Sequence, residues 1–242
     1  MMRSGATRSA RAMAADLPER AAAALARSGL VLRGGLNFEP GEPRPPGPGG
    51  APAAAVLLVG NVGAGYWPVF TRWLDRQATP PADPLDQWSR AVIARAAAQV
   101  GARVLMPSDR PFAPVQQWAM RAGGLKPSPL GLLMHPRYGL WHAYRGALLF
   151  DAPLPGAVLP GPDGSGGHPC DSCAAKPCLH ACPVAAHTAT GFAAAACIAH
   201  ARSPRGGACA RQCPARDACP HGRAWRYPAE VLAFHQRAFT GA

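Results

Sequence analysis

The sequence is short of lysine, of acidic residues and of long apolar runs, and each shortage closes off a class of protein. Lysine occurs only as Lys126 and Lys176, so the basic charge rests on arginines dispersed along the chain. With Lys+Arg at 25 and Asp+Glu at 13, the formal net charge is +12. Dispersed arginine fits a basic solvated surface or a negatively charged small partner; nucleic acid is the alternative. No uninterrupted run of about 18 apolar residues occurs, so no membrane span is expected. The start, "MMRSGATRSARAMAADLPER", is acid-poor and arginine-rich and lacks the apolar middle of a secretory signal. It reads as a frayed leader, with a transit peptide as the alternative, and the expected location is cytoplasmic. The stretch "VGNVGAG" at 59–65 lacks the lysine of a phosphate loop and the spacing of a dinucleotide fingerprint, so no nucleotide or flavin site is expected there.

Glycine (27) and proline (28) are plentiful, which implies several irregular connections. The remaining pattern describes an α+β chain. Residues 1–54 read as a leader, a helix in "PERAAAALARSG" and a Pro/Gly-rich linker. Residues 55–150 read as a domain opening on the buried strand "AAVLLVGNVG". A helix follows in "DPLDQWSRAVIARAAAQVGA", with Asp83 as the expected cap ahead of Pro84 and with Leu85, Trp88, Val92 and Ala96 on one face. The segment "ARVLMPSD" reads as a short strand closed by Pro107. In "LGLLMHPRYGLWHAYRGALLF" two strands are expected, "WHAYRGALLF" pairing back on "GLLM" through the Pro-Arg-Tyr-Gly turn. Residues 151–167 form a second linker, 168–222 a small cysteine-rich module, and 223–242 a helix whose Leu232, Phe234 and Phe239 pack back on the body.

All eight cysteines fall between 170 and 219. They run Cys170-x2-Cys173-x4-Cys178-x3-Cys182-Pro, then Cys197, Cys209-x3-Cys213-Pro and Cys219-Pro. The two-cluster iron–sulfur run is C-x2-C-x2-C-x3-C-P, its fourth thiolate serving the other cluster. Here the second gap is longer by two residues, Lys176 and Pro177 being the insertion. The swapped arrangement assigns Cys170, Cys173, Cys178 and Cys219 to one [4Fe–4S] cluster, and Cys182, Cys197, Cys209 and Cys213 to the other. Zinc with histidines His168, His180, His187, His200 or His221 is the rival for these thiols. Disulfides would need an oxidising compartment, for which no secretory signal is seen. Cluster pairs pass single electrons and break no bond themselves, so the chemistry has to be sought upstream.

Upstream stand "DPLDQ" at 83–87 and "HPRYGLWHAYRG" at 135–146. Together they resemble the CblC family of cobalamin decyanases and dealkylases, over residues 55–150. The resemblance implies a nitroreductase-like CblC-type fold and a cobalamin (corrinoid) cofactor with its lower base displaced. It nominates Ser128, Pro129, Leu130, Gly131, His135, Pro136, Gly139, Trp141, His142, Ala143, Tyr144 and Arg145 for the corrin ring, with Asp83, Asp86 and Gln87 as support. A corrinoid domain followed by a dicluster ferredoxin-like module is also similar to epoxyqueuosine reductase and the reductive dehalogenases. On this reading the protein is a corrinoid reductase. A reduced donor (ferredoxin, flavodoxin or flavoprotein) feeds two clusters, the clusters reduce cobalamin, and a cobalamin-accepting protein follows. The alternatives are a tRNA-modifying reductase like epoxyqueuosine reductase and a ferredoxin-type carrier without catalysis.

Overall fold

The apolar run after Ala54 becomes an inner strand of a sheet. A computed structural model describes residues 16–155, 167–188 and 191–241, so positions 1–15 of the expected leader and 156–166 of the linker lie outside the described residues. The first elements in chain order are α1 (Leu17–Ala26), β1 (Val31–Asn37), β2 (Ala55–Val62), α2 (Trp67–Leu74), α3 (Pro84–Val100), β3 (Arg103–Leu105) and α4 (Val115–Gly123). Then come β4 (Lys126–Pro127), β5 (Leu133–Met134), β6 (His142–Phe150), α5 (Pro177–His180), β7 (His187–Thr188), β8 (Gly191–Phe192), α6 (Ala194–Arg202), α7 (Pro214–Asp217) and α8 (Ala229–Thr240). The fold is therefore mixed α+β, with one four-stranded sheet in the order β1-β2-β6-β3 and two two-stranded ribbons.

The chain divides into two compact units. The first holds residues 16–61, 65–124 and 143–155; the second holds 62–64, 125–142 and 167–241. The stretch 125–142, expected to close the first domain, thus packs with the cysteine-rich segment.

In the first unit β2 is buried from Ala55 through Val59, and β6 from Ala147 through Phe150. Both occupy inner positions of the sheet, which explains why they read as continuous apolar runs rather than alternating ones. β1 pairs antiparallel with β2, and β3 antiparallel with β6, Arg103 opposite Leu149. Helix α3 buries Leu85, Trp88, Val92 and Ala96, the face expected from the spacing. It packs on α1 and α2, where Trp88 meets Tyr66 and Phe70 at ring separations of 6.0 and 5.7 Å.

Two expectations are corrected here. The strand "WHAYRGALLF" does not pair back on "GLLM". β5 pairs instead with β4, Lys126 opposite Met134, and only a single His135–Gly139 bridge closes the turn. A nine-residue apolar strand gains more from two buried neighbours than from a two-residue partner whose preceding Leu132 is exposed. Asp83 does stand at the start of α3, but in a left-handed conformation (φ 48°) and without a side-chain cap bond. Its carbonyl instead accepts from the Asp86 and Gln87 N–H groups, while Gln87 Nε2 donates to the Ala82 carbonyl at 2.8 Å.

Gly60 shows how closely β2 and β6 approach. A Cβ there would lie 2.0 Å from the Ala143 carbonyl oxygen, whereas one at Gly65 meets nothing within 4 Å. Gly60→Ala should cost about 1–3 kcal/mol by overpacking, read as a lower urea midpoint, with Gly65→Ala close to wild type. Equal midpoints for the two variants would contradict this packing.

Candidate iron–sulfur site

Residues 167–241 bury few large apolar side chains, chiefly Tyr227, Val231 and Leu232. The expected inward packing of Phe239 is not found, since it is 44% exposed. What fills the second unit comes from 125–142: Leu130, Met134 and Leu140 form one cluster with Cys178, Ala215 and Cys219. Trp141 is buried as well.

Around this plug the eight cysteines are free thiols in two sets. Cys170, Cys173, Cys178 and Cys219 line a narrow cavity, walled by Ser128, Pro129 and Leu130. Cys182, Cys197, Cys209 and Cys213 line a second, of about 340 Å³. The division follows the swapped assignment read from the spacing.

Local structure explains how each set is presented. Lys176, left-handed at φ 37°, sends Nζ back to the carbonyls of Cys170 and Cys173 at 3.2 and 3.4 Å, closing the first loop. Pro177 then starts the single turn of α5, which carries Cys178. The Ala186 N–H donates to Cys182 Sγ at 3.3 Å. Cys213 precedes α7, whose turn brings the chain to Cys219. In both places the inserted or following proline sets a fresh helical start, which turns successive thiols in different directions.

The electrostatics are unfavourable to bare thiolates. Burial, then the neighbouring thiols Cys219, Cys178 and Cys173, push Cys170 up to about 11. Cys178, Cys197, Cys209 and Cys219 are raised too, burial being the first cause in each. Such a set can ionise only against strong positive charge, which metal ions supply. Among the described residues no three His, Cys, Asp or Glu side chains converge tightly enough to share one metal ion. Four thiols spread around a cavity suit a group with one iron per thiolate, and on that chemistry both sets fit a [4Fe–4S] cluster.

The chain matches no protein-family model and no curated protein. The site must therefore be judged on its geometry.

The residues nominated for a corrin fall on both units. Ser128, Pro129, Leu130, Gly131, His135, Pro136, Gly139, Trp141 and His142 belong to the second unit, while Ala143, Tyr144 and Arg145 belong to the first. His135 is occupied within its own turn, Nδ1 accepting from the N–H groups of Arg137 and Tyr138 at 3.1 and 3.2 Å. His142 Nε2 bonds the Leu133 carbonyl at 3.0 Å, and Arg145 Nε donates to the buried Asn61 at 2.9 Å. Gly139, at φ 57°, is required by the cysteine loop, because a Cβ there would lie 2.2 Å from the His221 carbonyl oxygen. These bonds serve the local turn and strand, and no step is derived through a corrin. Sequence reasoning read this turn as a ligand wall; in the structure it braces the thiols. The missed residues are Met134, Leu140 and Arg216, which no metal motif could have signalled.

Two outcomes follow. Gly139→Ala should displace the His221 loop and with it Cys219, lowering iron from about eight toward about four per chain, measured by iron assay on anaerobically prepared protein. Retention of full iron would remove the bracing role. In chelator-stripped protein, Cys170 titrates at about 11 rather than the ordinary 9.0, so the folded state holds its proton longer than the unfolded one. The stability linked to it is present below pH 9 and declines as pH rises toward 11, so the urea midpoint of stripped protein should fall across that window. A flat midpoint from pH 9 to 11 would contradict it.

Proposed function

We propose that this chain is an iron–sulfur electron-transfer protein. Cys170, Cys173, Cys178 and Cys219 would hold one [4Fe–4S] cluster; Cys182, Cys197, Cys209 and Cys213 would hold the other, in a ferredoxin-like module. The observation that carries the reading is the parting of eight free thiols into two sets of four, each around its own cavity. When bound, each cluster supplies a one-electron couple whose potential depends on charge, hydrogen bonds to sulfur and solvent exposure.

The chain's own residues serve those variables. Lys176 fixes the loop of Cys170 and Cys173, and the Ala186 N–H sits on Cys182 Sγ. Leu130, Met134 and Leu140 keep water from the space beside Cys178 and Cys219. Zinc is disfavoured because the thiols do not gather at a point.

Protein prepared without oxygen should contain about eight irons and about eight sulfides per chain. Dithionite should bleach it and give electron paramagnetic resonance signals of two reduced clusters, one of them lost in Cys197→Ala. About two zinc ions and no sulfide would instead make it a zinc protein.

The second reading is that these electrons reach a corrinoid, in a nitroreductase-like first domain. It is carried by "DPLDQ" and "HPRYGLWHAYRG" and not by the placement of the nominated side chains. Adding cobalamin to the reduced protein decides it: a shift of the corrin absorption bands supports a corrinoid reductase, and none leaves an electron carrier. Salt-sensitive tRNA binding would favour the epoxyqueuosine-reductase-like alternative.

A further inference from the structure

The second cavity has a pronounced charge asymmetry. Among its described lining residues there is no Asp or Glu, and the single Lys or Arg is Arg216. Arg216 follows Ala215, which is fully buried, so its guanidinium is held over the second unit's core. It lies 4.6 Å above the Trp141 ring and 4.9 Å above the Tyr227 ring. One terminal nitrogen donates to the Leu140 carbonyl at 2.5 Å. The adjacent acid cannot neutralise it, because Asp217 is engaged by Arg226 through two hydrogen bonds. The other ion pairs among the described residues, Arg90–Asp109 and Arg121–Glu42, also leave it out.

Two N–H groups in this arrangement are buried without a partner: Arg216 Nε and Trp141 Nε1. Both belong to side chains that line the cavity of Cys182, Cys197, Cys209 and Cys213. Buried donors left without an acceptor are costly, and here one of them belongs to a half-buried cation with no acid beside it. Aromatic stacking offsets part of this, but it supplies no hydrogen-bond acceptor. The four thiols that line the same cavity present the opposite need, since thiolate sulfur is anionic and accepts hydrogen bonds. One arrangement meets both demands.

We propose that Arg216, with Trp141, is the counter-charge and hydrogen-bond donor for the iron–sulfur group held by Cys182, Cys197, Cys209 and Cys213, and raises its reduction potential. The inference rests on the two-cluster reading above and adds which residues tune one cluster selectively. The physical reason is that reduction adds negative charge to the group, and a fixed cation with donors favours the more negative state. The first set has a different neighbour in Lys176, which is committed to the carbonyls of its own loop. Arg216 is thus a positioning and tuning residue rather than a ligand.

The test is a redox titration of the anaerobic holoprotein, followed by electron paramagnetic resonance, on wild type, Arg216→Met, Arg216→Lys and Trp141→Phe. In Arg216→Met one of the two potentials should fall until the reduced-to-oxidised ratio at fixed potential drops tenfold or more, about 59 mV for one electron. The other potential should stay in place. Arg216→Lys should fall less, and Trp141→Phe should shift the same potential in the same direction. Should Arg216→Met fail to hold iron, nuclear-coupling spectroscopy on reduced wild type with 15N-arginine and 15N-tryptophan replaces it. Coupling of a cluster to either label supports the proposal; absence of coupling to both overturns it. Unchanged potentials in iron-replete variants also overturn it and leave the cluster reading standing. An iron-free wild type overturns the cluster reading itself.

Discussion

Thiols crowded into water-poor cavities repel one another once ionised, and the second unit is organised around that constraint. Cys170, Cys178, Cys197, Cys209 and Cys219 are all pushed toward the protonated form, first by burial and with a further contribution from neighbouring thiols. Metal reverses the sign: the same closeness that penalises four bare thiolates favours four thiolates on iron. On the proposed cluster reading, folding of the unit and ligation would be coupled. A segment whose large buried apolar side chains are so few gains little from hydrophobic burial alone.

That constraint explains why the unit recruits residues 125–142. Leu130, Met134, Leu140 and Trp141 supply the apolar volume that the cysteine-rich segment lacks, each burial contributing about 1.5–3 kcal/mol. Backbone contact does the rest. Gly139 and Gly222 face each other so closely that a Cβ on either would meet main-chain atoms at 2.2 to 2.3 Å. A motif that resembles a corrinoid wall is thus, in this chain, the support on which the loop after Cys219 rests. The two roles are separate matters, because a backbone brace can also face a ligand on its free side.

The sheet of the first unit was well read where one kind of force acts alone. The buried run 55–62 and the face of α3 at Leu85, Trp88, Val92 and Ala96 follow from period and burial. Reading failed where two partners competed for the same strand. Residues 142–150 could pair locally with 131–134 or remotely with β3, and only the sheet assembled in space decides that. Asp83 failed as a side-chain cap for a related reason: its carbonyl, held in a left-handed residue, does the work that its side chain was expected to do. Phe239 lies on a helix that buries Val231 and Leu232 and leaves Phe239 on its exposed side, against Phe192.

Cysteine spacing by itself determined that Cys170, Cys173 and Cys178 lie on one short stretch, because a few residues of loop limit how far each sulfur can reach and proline dictates where the loop turns. It could not determine what surrounds them. That Lys176 closes one loop, that Asp217 is taken by Arg226, and that Arg216 lines the same cavity as Cys182, Cys197, Cys209 and Cys213 are decided only in three dimensions. Charge has no period along a chain, and which cation faces which anion depends on distances that the fold alone sets.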